Sequence, residues 1–198
     1  MNLQQYRFKF LTISKNAMIA ILAIGFLFSI RNVFDFNKVR QIEIMNGPEF
    51  RQYTENFKFH KGSIRTLNAI AKKALELESP DMDVSEKANT AILEIKEDCL
   101  DCHNRVVFFD LTKNGELSDT GLNALRSSYE LSPYGEVELM KWRLEVSSNF
   151  WEDLDEDLQK SSLTQITALS QFQKGQFWLR SFETDVPNIK SRITRLAN

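Results

Sequence analysis

The sequence predicts an all-α protein, with one N-terminal transmembrane helix followed by a tetratricopeptide-like stack of helical hairpins. Three observations lead there. Residues Ala17 to Ile30 form an apolar run without a charge, bracketed by Lys15 and Arg31. Beyond Gly62, apolar residues recur at helical spacing. No segment alternates for long enough to argue a sheet. With 42% hydrophobic and 26% charged residues among 198, the composition is that of a globular protein and excludes a disordered or multi-span chain.

The run of 14 residues spans roughly 21 Å as a helix, less than a bilayer core of about 30 Å. Its flanks Phe8, Phe10, Leu11, Ile13, Val33, Phe34 and Phe36 lengthen it, while Lys15 and Arg31 can snorkel. No small-x-small cleavage site follows Ser29, so the segment reads as a retained anchor, against a cleaved signal peptide or a buried core helix. The expected organisation is a cytoplasmic tail over 1–15, an anchor over 16–34, a juxtamembrane stalk over 35–62 and a single helical domain over 63–198. Basic residues on the two flanks nearly balance (Arg7, Lys9 and Lys15 against Arg31, Lys38 and Arg40), so charge alone barely orients the anchor. A short basic tail before a first apolar segment favours export of the domain, giving a single-pass inner-membrane protein that faces the periplasm.

Through Phe34 there are four basic residues and no acidic ones, which leaves 21 basic and 27 acidic residues behind them, a formal charge of −6. That balance excludes nucleic-acid binding, which needs a basic surface to neutralise phosphates.

Residues 36–62 are mixed and aromatic, broken by Gly47 and Pro48, and read as a packed stalk with partial helix. A helix follows with Ile64, Leu67, Ala71, Ala74 and Leu75 on one face, stopped by Ser79 and Pro80. Asp83 and Glu86 suggest a capping box for the next, which carries Val84, Ala88, Ala91, Ile92 and Ile95. From Cys99 to Leu111 two apolar stripes place a helix between neighbours. Asn114 and Gly115 make a turn before a helix through Leu122, Leu125 and Tyr129 to Leu131. Ser132 and Pro133 then resemble an N-cap and first helical position. The helix they would open has Val137, Met140, Leu144 and Trp151 on one side and Leu139, Trp142, Val146 and Phe150 on the other. Asp155 to Phe172, Gln176 to Phe182 and Pro187 to Leu196 supply three more.

Helices apolar on two faces are what stacked hairpins require, since each hairpin must cover its neighbour. An internal echo agrees: LNAIAKKALELESP from Leu67 is similar to LNALRSSYELSP from Leu122. A plain helical bundle is the alternative architecture.

The sharpest local motif is CLDCH, Cys99 to His103. It has the c-type haem pattern, with two thiols one helical turn apart and an adjacent imidazole as axial ligand. Met140, Met82, Met45 or His60 would have to supply the second axial ligand. The same residues also continue the helix stripes, which favours packed thiols, with a disulfide as a further alternative. The set is incomplete for structural zinc, which wants four ligands. Glu152, Asp153, Asp155, Glu156 and Asp157 lack the spacing and central glycine of a calcium loop and read as a solvated helix start. There is no phosphate-binding glycine loop and no GxSxG. Trp142 and Trp151 fall on apolar stripes, which places them in the core rather than on a sugar platform.

The stretch YELSPYGEVELMKWRLEVSSNFWEDLDEDLQ, Tyr129 to Gln159, resembles the VpsP family of bacterial exopolysaccharide biosynthesis proteins. The likeness lies in a helix ending in L-S-P-Y-G, the tryptophan-bearing helix after it and W-x-x-L-D before the next. It extends from Leu122 to Phe182, with QFQKGQFWLRSF as its less specific end. It implies a small, membrane-attached, helical protein with a non-catalytic part in polymer assembly or export.

The expected function is therefore a membrane-anchored periplasmic scaffold or adaptor for exopolysaccharide biosynthesis, without enzymatic activity, cofactor or metal. Its expected partners are integral-membrane polysaccharide polymerase or export proteins. The alternative is a membrane-anchored monohaem c-type cytochrome using haem c on Cys99, Cys102 and His103.

Overall fold

A computed structural model describes the backbone of residues 3–197 and the side chains of residues 20–196. The side chains expected to flank the anchor from Arg7 to Lys15 lie outside the latter range. The described residues form ten α-helices and no strand, as expected of an all-α chain; the pairing of successive helices is compatible with a stack of hairpins.

Helix α1 (Leu3–Ile44) runs unbroken through the expected anchor and into the expected stalk. Ala20–Ile44 is long and apolar enough to cross a membrane, and none of its most apolar window is buried. α2 (Gly47–Glu55) starts where Gly47 and Pro48 suggested only a break. Asn46 and Glu49 form a reciprocal capping box there, and Pro48, whose missing N–H costs nothing in a first turn, is pre-set for helix.

A 3₁₀ turn at Phe59–Lys61 leads to α3 (Ile64–Leu75), capped by Ser63, whose Oγ accepts from the Thr66 amide. α4 (Met82–Ile95) is capped by Asp81, which accepts from Val84 N at 3.1 Å. The cap thus lies two residues before Asp83, and it is a single N-cap bond rather than the Asp83 and Glu86 capping box that the sequence suggested. Asp81 can serve because the turn after Pro80 leaves it just outside the helix, whereas Asp83 is already inside.

Where length suggested one folded unit, the chain divides into two compact ones, Met1–Ala88 and Asn89–Asn198, with the division inside α4. In the first, Ile42, Phe50, Leu67, Ile70, Ala71 and Ala74 are fully buried. The end of α1 is tied to α3 by Lys73 Nζ donating to the Glu43 carbonyl and by Arg65 donating to Asn32 Oδ1.

The second unit holds α5 (Leu100–Asn114), α6 (Asp119–Leu131), α7 (Val137–Asn149), α8 (Glu156–Leu169), α9 (Gln173–Ser181) and α10 (Pro187–Ala197). α5 ends at Gly115, whose φ of 71° is the left-handed conformation that glycine adopts without a Cβ penalty. The expected opening of the fifth helix at Ser132 and Pro133 is corrected. Ser132 closes α6, its amide bonding to Ser128, and α7 starts only after Glu136. Pro133 and Gly135 are used in the turn because the Ser132 carbonyl is already committed to Arg143 at 2.7 Å.

Arg143 is the largest fully buried side chain of the unit. Its Nε donates to Ser128 Oγ and its two terminal nitrogens to the Ser128 and Ser132 carbonyls, while the guanidinium lies 4.9 Å from the Tyr129 ring centroid. With its amide oriented to satisfy both neighbours, Gln165 of α8 accepts from Arg143 Nη1 at 3.1 Å and donates to the Met140 carbonyl at 3.2 Å. Beside it, Tyr129 Oη meets Ser147 Oγ at 3.2 Å and Ser162 Oγ at 3.0 Å. This polar hub pins α6, α7 and α8 together inside a shell that includes Leu125, Met140, Leu144, Leu158 and Ile166.

No carboxylate among the described residues pairs with Arg143, and burial lowers its pKa to about 10. It still carries its charge at neutral pH, and neutral oxygens solvate it. Replacing it with methionine keeps the volume but removes the donors to Ser128 Oγ and to the Ser132 carbonyl, while the Ser128 carbonyl keeps only the Ser132 amide. We expect Arg143→Met to lower stability by about 2–3 kcal/mol, measured by urea unfolding of the full chain in detergent. Unchanged stability would show that the guanidinium contributes nothing.

Candidate functional site

Two places in the second unit concentrate polar chemistry, the CLDCH turn and a cleft between α6 and α8. Cys99 is the N-cap residue of α5 and Cys102 lies in its first turn, so the two side chains rise on one face. They are joined in a disulfide with Cα atoms 5.2 Å apart. Bonded sulfurs replace the packed-thiol reading. Cys102 is 0% exposed and Cys99 partly exposed. The Cys102 carbonyl accepts from Asn89 Nδ2 at 3.0 Å, and Asn89 Oδ1 in turn accepts from Arg105. Burial lowers the pKa of Arg105, with Asp101 opposing.

These residues do not fit a covalently attached haem. Thioether attachment needs both sulfurs and an open face beside them, but Cys102 is enclosed and its sulfur is bonded to Cys99. The His103 ring meets the Glu97 carbonyl through Nε2 at 2.9 Å, which closes the turn before the helix. Met140, one of the possible second ligands, is fully buried in the apolar cluster around α7.

The carboxylate run is the solvated helix start that the sequence suggested. Glu152 and Asp153 are exposed in a 3₁₀ turn, and Asp155 caps α8. No group of three or more His, Cys, Asp and Glu side chains among the described residues can hold a metal ion. Trp151 is buried and Trp142 half-buried against the same core, in keeping with their apolar stripes. Trp178 stacks on Phe182 with centroids 4.5 Å apart.

The cleft was not anticipated. It is about 420 Å³, and Arg126, Tyr129, Glu130, Tyr134, Asp157 and Lys160 line it. Tyr129 forms its floor with one edge in the polar hub, and burial raises its pKa, so its hydroxyl stays protonated. Tyr134 is 69% exposed, an open aromatic face at the end of the L-S-P-Y-G turn. Arg126 donates to Asn123 and pairs with Asp155 across the mouth. Two cations, two carboxylates and a bare ring suit a polar, hydroxyl-bearing or mixed-charge surface rather than a greasy ligand.

A sequence signal for the hub did exist. Arg143 lies three residues after Met140 and directly before Leu144, a register that faces inward, and Ser162 lies on the stripe of Leu158 and Ile166. The cleft had no such signal, because its lining comes from two helices and the turn between α6 and α7.

Asp155 links the cleft to stability. Its carboxyl is held below the usual range, first by the Leu158 amide and then by Arg126. The folded value is lowered, so the contribution is present above the unfolded value near ~4 and is lost as pH falls through the folded one. The ion pair is largely exposed and counts for little, so the cap dominates. We expect Asp155→Ala to cost about 1 kcal/mol at neutral pH. The gap to the parent should close in acid, as read from thermal melts across pH. A gap that persists in acid contradicts the capping role.

Comparison with known protein families, curated proteins and solved structures finds no match to this chain.

Proposed function

We propose that this chain is a single-pass inner-membrane protein whose periplasmic helical part serves exopolysaccharide biosynthesis or export as a scaffold or adaptor. The observation that carries the reading is α1. Ile21, Leu22, Ile24, Phe26, Leu27 and Phe28 are each 64–69% exposed on one continuous helix, an arrangement that suits lipid and not water. The Cys99–Cys102 disulfide supports the periplasmic side, since such bonds persist in oxidising compartments.

The resemblance of Leu122 to Phe182 to the VpsP family supplies the process. It covers the turn that presents Tyr134 and the helices that build the cleft, which gives the scaffold a docking surface for a polymerase or export protein in the same membrane. A polar cleft with one exposed ring suits partner recognition, where aromatic and arginine side chains carry much of the affinity.

Deleting the chain should remove polymer from the cell surface while respiration continues. Restoring it as Tyr134→Ala should recover wild-type protein levels with polymer reduced several-fold. Normal surface polymer in the deletion strain contradicts the reading.

A further inference from the structure

The disulfide at the start of α5 is poorly placed for a structural staple. It closes a ring between residues three apart, so it removes little freedom from the unfolded chain compared with a long loop. The turn it spans is already held by backbone bonds, from Cys102 N and His103 N to the Cys99 carbonyl at 3.0 and 3.1 Å. It joins no two elements, because Cys99 caps the helix to which Cys102 belongs.

What the pair does have is asymmetry. Cys99 is partly exposed at the helix entrance, and Cys102 is enclosed behind it, with its carbonyl fixed by Asn89. An incoming sulfur can reach only the first, and the second is held where it can attack the first. That is the arrangement thiol–disulfide exchange requires.

We propose that Cys99 and Cys102 form a thiol–disulfide exchange centre that reduces a disulfide in a partner protein, with Cys99 as the attacking sulfur and Cys102 as the resolving one. In the dithiol form, the Cys99 thiolate attacks one sulfur of the partner's disulfide. A Cys99–partner S–S bond forms, the partner's S–S bond breaks, and its other sulfur leaves as a thiolate. The Cys102 thiolate then attacks Cys99 Sγ, breaking the mixed disulfide and releasing the partner's second thiolate.

The two protons given up by Cys99 and Cys102 are balanced by the two taken up on the partner's sulfurs. Two electrons pass from this dithiol to the partner, leaving the Cys99–Cys102 bond seen here. A second dithiol protein must return the pair to its reduced form. The activity is separate from the scaffold reading and stands or falls without it.

The test uses the full chain in detergent with dithiothreitol and glutathione disulfide as probes. Dithiothreitol should open the bond in the folded protein with the helical circular-dichroism signal unchanged. Added to the Cys102→Ser variant, glutathione disulfide should form a stable adduct on Cys99, seen by mass spectrometry. The Cys99→Ser variant should react at least about tenfold more slowly, because its remaining thiol is enclosed.

If either variant misfolds, limiting alkylation of the reduced wild-type protein followed by peptide mapping gives the same answer, with Cys99 labelled first. Resistance to dithiothreitol until the protein is denatured overturns the proposal, as does loss of helix on reduction or equal reactivity of the two sulfurs.

Discussion

The apolar side chains of α1 from Ile21 to Phe28 lie open rather than in a protein core, and the rest of the arrangement follows from that. Burying apolar surface is worth about 25 cal/mol per Å², yet the apolar window of α1 within Ala20–Ile44 is wholly unburied. The helix is long and apolar enough to cross a bilayer, the solvent that would remove this cost. Because α1 continues as helix to Ile44, the constraint passes to the folded part through a stiff rod. Ile42 is buried, and the Asn32 side chain and Glu43 carbonyl accept bonds from α3. The first compact unit is thereby fixed to the anchor without a flexible tether.

The second unit is organised by a different demand. A buried guanidinium must be solvated by protein, and α6 with its C-cap and α8 supply the oxygens and the ring that surround Arg143 on α7. Such an interior contributes less to stability than an apolar one of the same volume, but it specifies a register, since a slip of one residue in α6 or α8 strands several polar groups. Tyr129 joins the two roles. Its hydroxyl closes the network at Ser147 and Ser162, while its ring makes the floor of the cleft whose rim carries Tyr134.

Periodicity was enough to read the helices and most of their buried faces from sequence, because the apolar stripes of α3 to α8 are regular, but Ile95 and Leu131 at helix ends are exposed. Their ends were harder. Ser132-Pro133 has the chemistry of a helix start but serves as a stop, since Arg143 claims the Ser132 carbonyl from a distant part of the chain. Asp81 won over Asp83 as a cap for a reason of local turn geometry that no spacing rule contains. Gly47-Pro48 was read as a break when it opens α2, although the capping box of Asn46 and Glu49 was visible in the sequence.

Of the candidate site, the cysteine pair was legible and its bonding was not. CxxC spacing serves haem, disulfide and packing alike, and the Cys99–Cys102 bond together with the burial of Cys102 separates them. The cleft was invisible, since it depends on how α6 and α8 meet.

An anchor that leaves the helical part in an oxidising compartment accounts for the exposed apolar helix and the surviving disulfide together. The most direct measurement fuses alkaline phosphatase or green fluorescent protein after Ala197 of the full chain and compares the two fusions in cells. The proposed topology, with the folded part on the periplasmic side, predicts an active phosphatase and a dark fluorescent fusion. A bright fluorescent fusion with an inactive phosphatase would place it in the cytoplasm and contradict the central claim.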